Sequence, residues 1–164
     1  MSHQEKLIAW LNDAHAMETS VAQVLEAHAK EAKDHPLMQT RMQEHLEETR
    51  RHADLVKGCI ERLGSSPSTI KSGMGTVMGT VQGMSTALAK DKLVKNALAD
   101  YASEHFEIAS YQALVTAALQ IGDQQTATVC QDILRDEDQM ARWLEQQLPV
   151  IVQETIGEAA EAHA

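Results

Sequence analysis

Aromatic and basic residues are scarce in this chain of 164 residues. The first shortage argues against a sheet-rich fold, and the second argues against partners that carry phosphate. Aromatic residues make up only 3%, whereas alanine, leucine, methionine, glutamine and glutamate are abundant, a composition that favours helices over sheets. Lysines and arginines number 14 against 24 aspartates and glutamates, which gives a formal net charge of -10. Because phosphate surfaces would repel such a chain, we expect neither nucleic acid nor an anionic membrane as a partner.

Cysteines are few, and long hydrophobic runs are missing. The two cysteines, Cys59 and Cys130, are far apart and fall on apolar helical positions, so we interpret them as small core residues; a disulfide or reactive thiol is the alternative. No stretch approaches the ~20 apolar residues that span a bilayer, and the first residues, MSHQEK, lack the apolar core of a signal peptide. We therefore predict a cytoplasmic protein without membrane association.

Four long segments carry apolar residues at helical spacing, and the residues between them mark their ends. Ser2 and Glu5 form a capping box at the start of the first segment. Pro36 suits the first turn of the second helix, Gly122 suits the stop of the third, and Pro149 is expected to end the fourth. The predicted helices cover residues 2–33, 36–63, 90–120 and 123–148.

The connections between these helices predict how they are arranged. Tight turns join the first helix to the second and the third to the fourth, so each pair should be antiparallel. Residues 64–90 form a long crossover between the pairs, which implies an all-α four-helix bundle in the ferritin-like arrangement. We expect residues 1–150 to form a single domain and residues 151–164 to form a frayed tail.

The crossover has a helical pattern of its own. Methionine, valine and leucine recur in it at helical spacing, while Gly75, Gly79 and Gly83 fall four apart on another face. Small residues at that spacing let helices approach closely. We interpret the segment as a short helix that lies across the bundle or at a dimer contact.

Each predicted helix carries acidic residues near the centre of its apolar stripe, where an unpaired carboxylate costs several kcal/mol. Taken singly, each glutamate has the alternative role of an edge residue whose stem packs while its head reaches water. Counted from the two tight turns, however, these residues fall at one level of the bundle. The candidate metal ligands are Glu18, Glu48, His52, Glu104, Glu107 and Glu137, with His45 as a weaker candidate.

Such a set of side chains predicts a dinuclear metal centre. Several carboxylates in a dry interior would repel each other unless cations lay between them. Oxygen ligands with one or two imidazoles suit iron or manganese, and two such ions about 3.5–4 Å apart can be bridged by glutamates in a bundle core. His45 has the alternative role of holding a ligand carboxylate. Tyr101 and Tyr111 flank the site, where either could donate to a carboxylate or simply pack.

Several stretches at these positions carry a resemblance to a known family: LNDAHAME (11–18), HLEET (45–49), EHFEIASY (104–111) and LRDED (134–138). With them the chain resembles the YciF/YciE family of bacterial ferritin-like proteins over residues 5–148. The resemblance implies a four-helix ferritin-like bundle, a dinuclear iron-type centre, a homodimer and a link to stress responses. Glu104 and Glu107 are also similar to the third-helix glutamates of rubrerythrin, which reduces peroxide.

The chain departs from the ferritin-like oxidases, which present Glu-x-x-His on the second and fourth helices. Arg51 follows Glu48 by three positions, and Met140 follows Glu137 by three. The departure argues against rapid iron oxidation more than against metal binding.

The predicted function is that of a stress-response protein with two bound iron or manganese ions and a small oxidant, peroxide or dioxygen. Iron oxidation and peroxide reduction are the candidate reactions if the protein is an enzyme. The alternative is a non-catalytic bundle that sequesters metal or binds a partner.

Overall fold

The computed structural model describes residues 1–68 and 91–161, and these form four long helices with no strand among them. The predicted all-α bundle is therefore confirmed. The helices are α1 (His3–Glu31), α2 (Pro36–Arg62), α3 (Lys92–Gln120) and α4 (Gln124–Glu161). α1 packs along α2 and α3 along α4, and the two pairs meet through α1 against α3 and α2 against α4. The predicted crossover helix falls on residues 69–90, outside the described residues.

Local signals explain most of the helix ends. Glu5 N donates to Ser2 Oγ at 3.1 Å and Ser2 N donates to Glu5 Oε2 at 2.6 Å, which confirms the capping box. Pro36 occupies the first turn of α2. Between α3 and α4, Gly122 has a φ of 79°, a left-handed conformation that favours glycine. Asp123 then accepts from the Thr126 backbone N–H at 3.2 Å and caps α4.

The predicted end of the fourth helix is wrong. α4 continues through Pro149 to Glu161, so residues 151–161, which we expected to fray, are helical. Proline removes one backbone hydrogen bond, but Ile151 lies beyond it at 2% exposure and packs in an apolar cluster with Met140 and Leu144. Burial of Ile151 offsets the cost of the proline and keeps the chain helical.

Two apolar clusters lie on either side of a polar level in the bundle. The second cluster is the one that contains Met140, Leu144 and Ile151, and on α3 it includes Ala97; the first cluster includes Tyr111 of α3. The candidate glutamates of α3 lie between Ala97 and Tyr111. On α4 the order is reversed, as expected for an antiparallel pair, because Ile133 belongs to the first cluster and Met140 to the second. The candidate ligands therefore lie at mid-height, flanked by apolar side chains.

Both cysteines are buried free thiols, which confirms their interpretation as core residues. Burial raises the pKa of Cys59, and it raises the pKa of Cys130 to about 12. Within residues 1–68 and 91–161, no helix combines the length and apolar character needed to cross a bilayer.

Candidate metal centre

All four helices place side chains at the polar level. α1 supplies one glutamate, α2 two histidines, α3 two glutamates and α4 one glutamate, and each of these residues is at most 1% exposed: Glu18, His45, His52, Glu104, Glu107 and Glu137. Six ionisable side chains buried together are far outside the ordinary composition of a bundle core.

Five of these residues form two groups that share one carboxylate, and Glu107, also a predicted ligand, belongs to neither group. Glu18, His52 and Glu137 form the first group, and His45, Glu104 and Glu137 form the second. Within each group, the candidate ligand atoms lie within 4.8 Å of one another. A single ion could therefore be held by each group.

The two oxygens of Glu137 face different groups. Oε1 lies 2.9 Å from His52 Nδ1, which is itself 3.8 Å from Glu18 Oε2. Oε2 lies 3.5 Å from His45 Nε2, which is itself 3.1 Å from Glu104 Oε1. A carboxylate placed in this way can bridge two cations, as glutamates do in dinuclear bundle centres.

Glu107 lies fully buried near the shared carboxylate, and neither of its oxygens makes a hydrogen bond of ordinary geometry with any described residue. Within the described part of the chain, the buried Oε2 atoms of Glu18 and Glu104 also make no hydrogen bond. Buried carboxylate oxygens are costly without a partner, and natural proteins rarely leave several together. Divalent cations would satisfy them, so the residues present fit a dinuclear centre.

Burial and mutual repulsion shift the ionisation of the whole group. Burial raises the pKa of Glu18 to about 8, and the carboxylate of Glu137 adds to this. Burial raises the pKa of Glu104 to about 7 against the opposing influence of His45. The pKa of Glu107 lies well above its usual range because of burial and then of Glu137. For His45, burial acts to lower the pKa, but the Glu104 carboxylate holds it well above its usual value.

Glu48 orients His45 from outside the two groups. Its Oε2 lies 2.9 Å from His45 Nδ1 and accepts from Arg41 Nη1 at 3.2 Å, and its side chain is 30% exposed. The hydrogen bond with His45 and the charge of Arg41 lower the pKa of Glu48 to about 2, so the carboxylate stays ionised. This bond fixes the ring with Nε2 toward Glu104. That Glu48 binds a cation directly stays a prediction.

Asp136 holds His52 in the same way. Its Oδ2 lies 3.1 Å from His52 Nε2 and accepts from Arg51 Nη2 at 2.8 Å. In each case an arginine contacts a carboxylate, and the carboxylate contacts the histidine of one group. Such outer carboxylates set the ring orientation of metal-binding histidines. No sequence pattern indicates this role for Asp136, because a half-exposed aspartate beside Glu137 is ordinary on a helix surface.

One of the two flanking tyrosines touches the centre. The fully buried Tyr111 hydroxyl donates to Glu18 Oε1, and burial together with the Glu18 charge keeps the pKa of Tyr111 well above its usual value. Tyr101 packs edge-on against His105 instead, with ring centroids 4.5 Å apart. Tyr111 therefore holds one oxygen of Glu18 and leaves Oε2 facing the first group.

The fold and the centre together define a class of protein, a ferritin-like helical bundle with a buried cluster of carboxylates and imidazoles. More particularly, the chain belongs to the family described as Domain of unknown function (DUF892), whose family model matches residues 2–157. This membership is consistent with the resemblance to YciF that the sequence motifs carry.

Solved structures show the same fold. A Xanthomonas campestris protein is 34% identical, and the match covers 98% of this chain and 99% of that one with a TM-score of 0.83. The Escherichia coli stress protein YciF is 23% identical over 93% of this chain and 98% of its own, with a TM-score of 0.77. A Desulfovibrio desulfuricans bacterioferritin with a diiron site is 23% identical over 97% and 87%, with a TM-score of 0.76. YciF and the bacterioferritin share the ferritin-like fold with this chain.

Proposed function

We propose that this protein binds two iron or manganese ions between its four helices. The observation that carries the proposal is the arrangement of two glutamates. The two oxygens of Glu137 face different imidazoles, and the two buried oxygens of Glu107 make no hydrogen bond of ordinary geometry with the described residues. Two cations on either side of Glu137 would neutralise these carboxylates, and a core of protonated glutamates would leave several polar atoms unsatisfied.

The chemistry of the ligand atoms favours iron or manganese. Each group offers carboxylate oxygens and one imidazole nitrogen, a mixed oxygen and nitrogen set that suits these metals. The buried thiols Cys59 and Cys130 belong to the apolar core cluster and to neither group, so the soft ligands preferred by copper(I) are not offered here.

The side chains around the centre hold it in a binding-competent state. Glu48 keeps His45 Nε2 directed inward, Asp136 does the same for His52 Nδ1, and the apolar clusters above and below exclude water. A bound pair of iron or manganese ions supplies redox chemistry toward peroxide or dioxygen. We therefore propose peroxide reduction or iron oxidation in a stress response as the activity of the loaded protein.

Metal stoichiometry tests the centre. Apoprotein is equilibrated with manganous ion, freed of excess metal and analysed for bound manganese, with two ions per chain expected. E137Q should lose most of the metal because both groups share that residue, and E107Q should bind less than the wild type. D100N is the matched control, because Asp100 is a buried carboxylate of α3 that pairs with His28 and not with the centre. Equal manganese content in wild type, E137Q and D100N would refute the proposal.

Binding should also stabilise the fold. At a free manganese concentration a hundred times Kd, each occupied site is expected to contribute about 2.7 kcal/mol to the free energy of unfolding. The melting temperature of the wild type should therefore rise with manganese, while that of E137Q should barely respond.

Activity measurements separate an oxidoreductase from a sequestering protein. Iron-loaded wild type is mixed with hydrogen peroxide, or ferrous iron is added to apoprotein in air, and oxidant consumption and ferric iron are followed. Consumption that E137Q abolishes supports the proposed activity. Full metal binding without consumption would support sequestration instead.

A further inference from the structure

A hollow of about 370 Å³ between α1 and α2 opens on the protein surface, and Glu18 is the one centre residue in its lining. Its lining residues are half-buried or exposed, with one exception: Glu18 is 0% exposed and therefore forms the inner end. The Oε2 atom of this glutamate lacks a hydrogen-bond partner among the described residues and belongs to the first ligand group. The hollow thus ends beside a residue of the first ligand group that has no exposed surface of its own.

Two small side chains line this hollow between its outer end and Glu18. Ala22 lies one turn after Glu18 on α1, and Ala53 lies opposite on α2, so both line the same space. A leucine at either position would extend into the hollow. A larger hollow, about 690 Å³ beside Trp10, lies between α1 and α3 and is lined by none of the six buried centre residues.

Charges of both signs stand at the outer end. Glu26 accepts from Lys30 at 2.8 Å and from Arg50 at 3.3 Å, so its charge is already compensated. Asp54 is exposed, and its charge acts on the half-buried His15 of α1, so a carboxylate stands at the outer end of the hollow where it can attract a cation. Arg50 at the same end donates to Glu26 and Glu47, so its charge is partly compensated, and what remains repels cations.

We propose that the hollow between α1 and α2 is the route by which divalent cations reach the buried centre, with Asp54 attracting them at its outer end and Ala22 and Ala53 leaving the passage open. The inference rests on the proposed function, since it requires a centre that binds metal. Asp54, Ala22 and Ala53 touch no bound ion at equilibrium and affect only the rate at which metal is taken up.

Blocking variants test the route by kinetics. Apoprotein is mixed with manganous ion alone, samples are desalted at intervals, and bound manganese is measured. A22L and A53L should load at least ten times more slowly than the wild type and reach the same final content. The control A117L, a half-buried alanine of the larger hollow, should load at the wild-type rate.

A second variant keeps the test valid if the leucines disturb folding. A53C folds with a small side chain, and a bulky methanethiosulfonate reagent then closes the passage in the native protein. The buried Cys59 and Cys130 should not react. Loading should slow at least tenfold after modification and recover when the disulfide adduct is reduced.

Charge variants supply an independent readout. D54N should slow loading and R50Q should speed it, each by about threefold at low ionic strength, and both effects should fade in high salt because exposed charges are screened. Blocked variants that load at the wild-type rate, or D54N and R50Q rates that change in the same direction, would overturn the route. A wild type that takes up no manganese would instead refute the proposed centre itself.

Discussion

The buried pair of His28 and Asp100 should make stability depend on pH independently of any bound metal. His28 Nδ1 lies 2.7 Å from Asp100 Oδ1, the side chains are 4% and 3% exposed, and the contact joins α1 to α3. Burial acts to lower the pKa of His28, but the hydrogen bond and charge of Asp100 raise it above its ordinary value, with a smaller contribution from Glu31. Folding therefore favours the protonated ring.

The loss of unfolding free energy in D100N can be calculated from the hydrogen bond that the substitution weakens. The amide keeps the size of the side chain and one acceptor oxygen, so the loss is that of a hydrogen bond between charged groups, about 1.5–3 kcal/mol. For a chain of this length, that change lowers the melting temperature by roughly 3–12 °C. Removing one partner outright, as in D100A, should cost about 3–5 kcal/mol because the imidazolium stays buried without compensation.

The sign of the pH dependence is fixed by the direction of the shift. A group whose pKa is higher in the folded state contributes stability that is fully present below its unfolded pKa, about 6.5 for histidine. The contribution is lost as pH rises through the raised folded pKa of His28. The advantage of wild type over D100N should thus be largest near pH 6 and shrink above about pH 6.5.

Urea unfolding of the apoprotein in chelator measures this difference between pH 5.5 and 9. Subtracting D100N from wild type at each pH cancels the titration of groups common to both, including the buried glutamates. The double variant H28Q/D100N should show little further dependence on pH relative to H28Q. A difference that stays constant over this range, or grows toward high pH, would refute the reasoning.

Three further predictions concern single residues outside the centre. P149A should restore a backbone hydrogen bond within α4 and raise the unfolding free energy by up to about 3 kcal/mol, measured by urea denaturation. G122A should lower it by about 1–2 kcal/mol, because the φ of 79° strains any side chain although no atom lies within 4 Å of an added Cβ. Cys59 and Cys130 should not react with a thiol reagent in the native protein and should both react in denaturant, since each is buried and has a raised pKa.

The fold could be predicted because its signals are local and repeated. The capping box at Ser2, the proline at the first turn of α2 and the glycine before α4 each set a helix end that the structure reproduces. The end of α4 could not be predicted in the same way. Pro149 is a local stop signal, but the burial of Ile151 depends on which helices surround it, and that information is absent from the local pattern.

The level at which carboxylates and imidazoles are buried together could also be predicted, whereas the positions of individual side chains could not. At ~100° per residue, His45 and His52 differ by about 20° around α2, and Glu48 lies about 40–60° to one side of them. That offset is small enough for any of the three to point inward. Only the packing of α2 against α1 and α4 decides that the two rings are buried and Glu48 remains at the edge.

The fourth helix lacks the histidine of a Glu-x-x-His motif, but each candidate group still contains an imidazole. Both imidazoles come from α2, two turns apart, and each belongs to a different group, so neither group lacks a nitrogen ligand. Met140, at the position where a Glu-x-x-His motif would place a ring, is fully buried in the second apolar cluster. Arg51, at the corresponding position of α2, binds Asp136 and so helps to orient His52. The two positions that depart from the oxidase motif therefore lie outside the two candidate groups, one in the apolar core and one bonded to the aspartate that contacts His52.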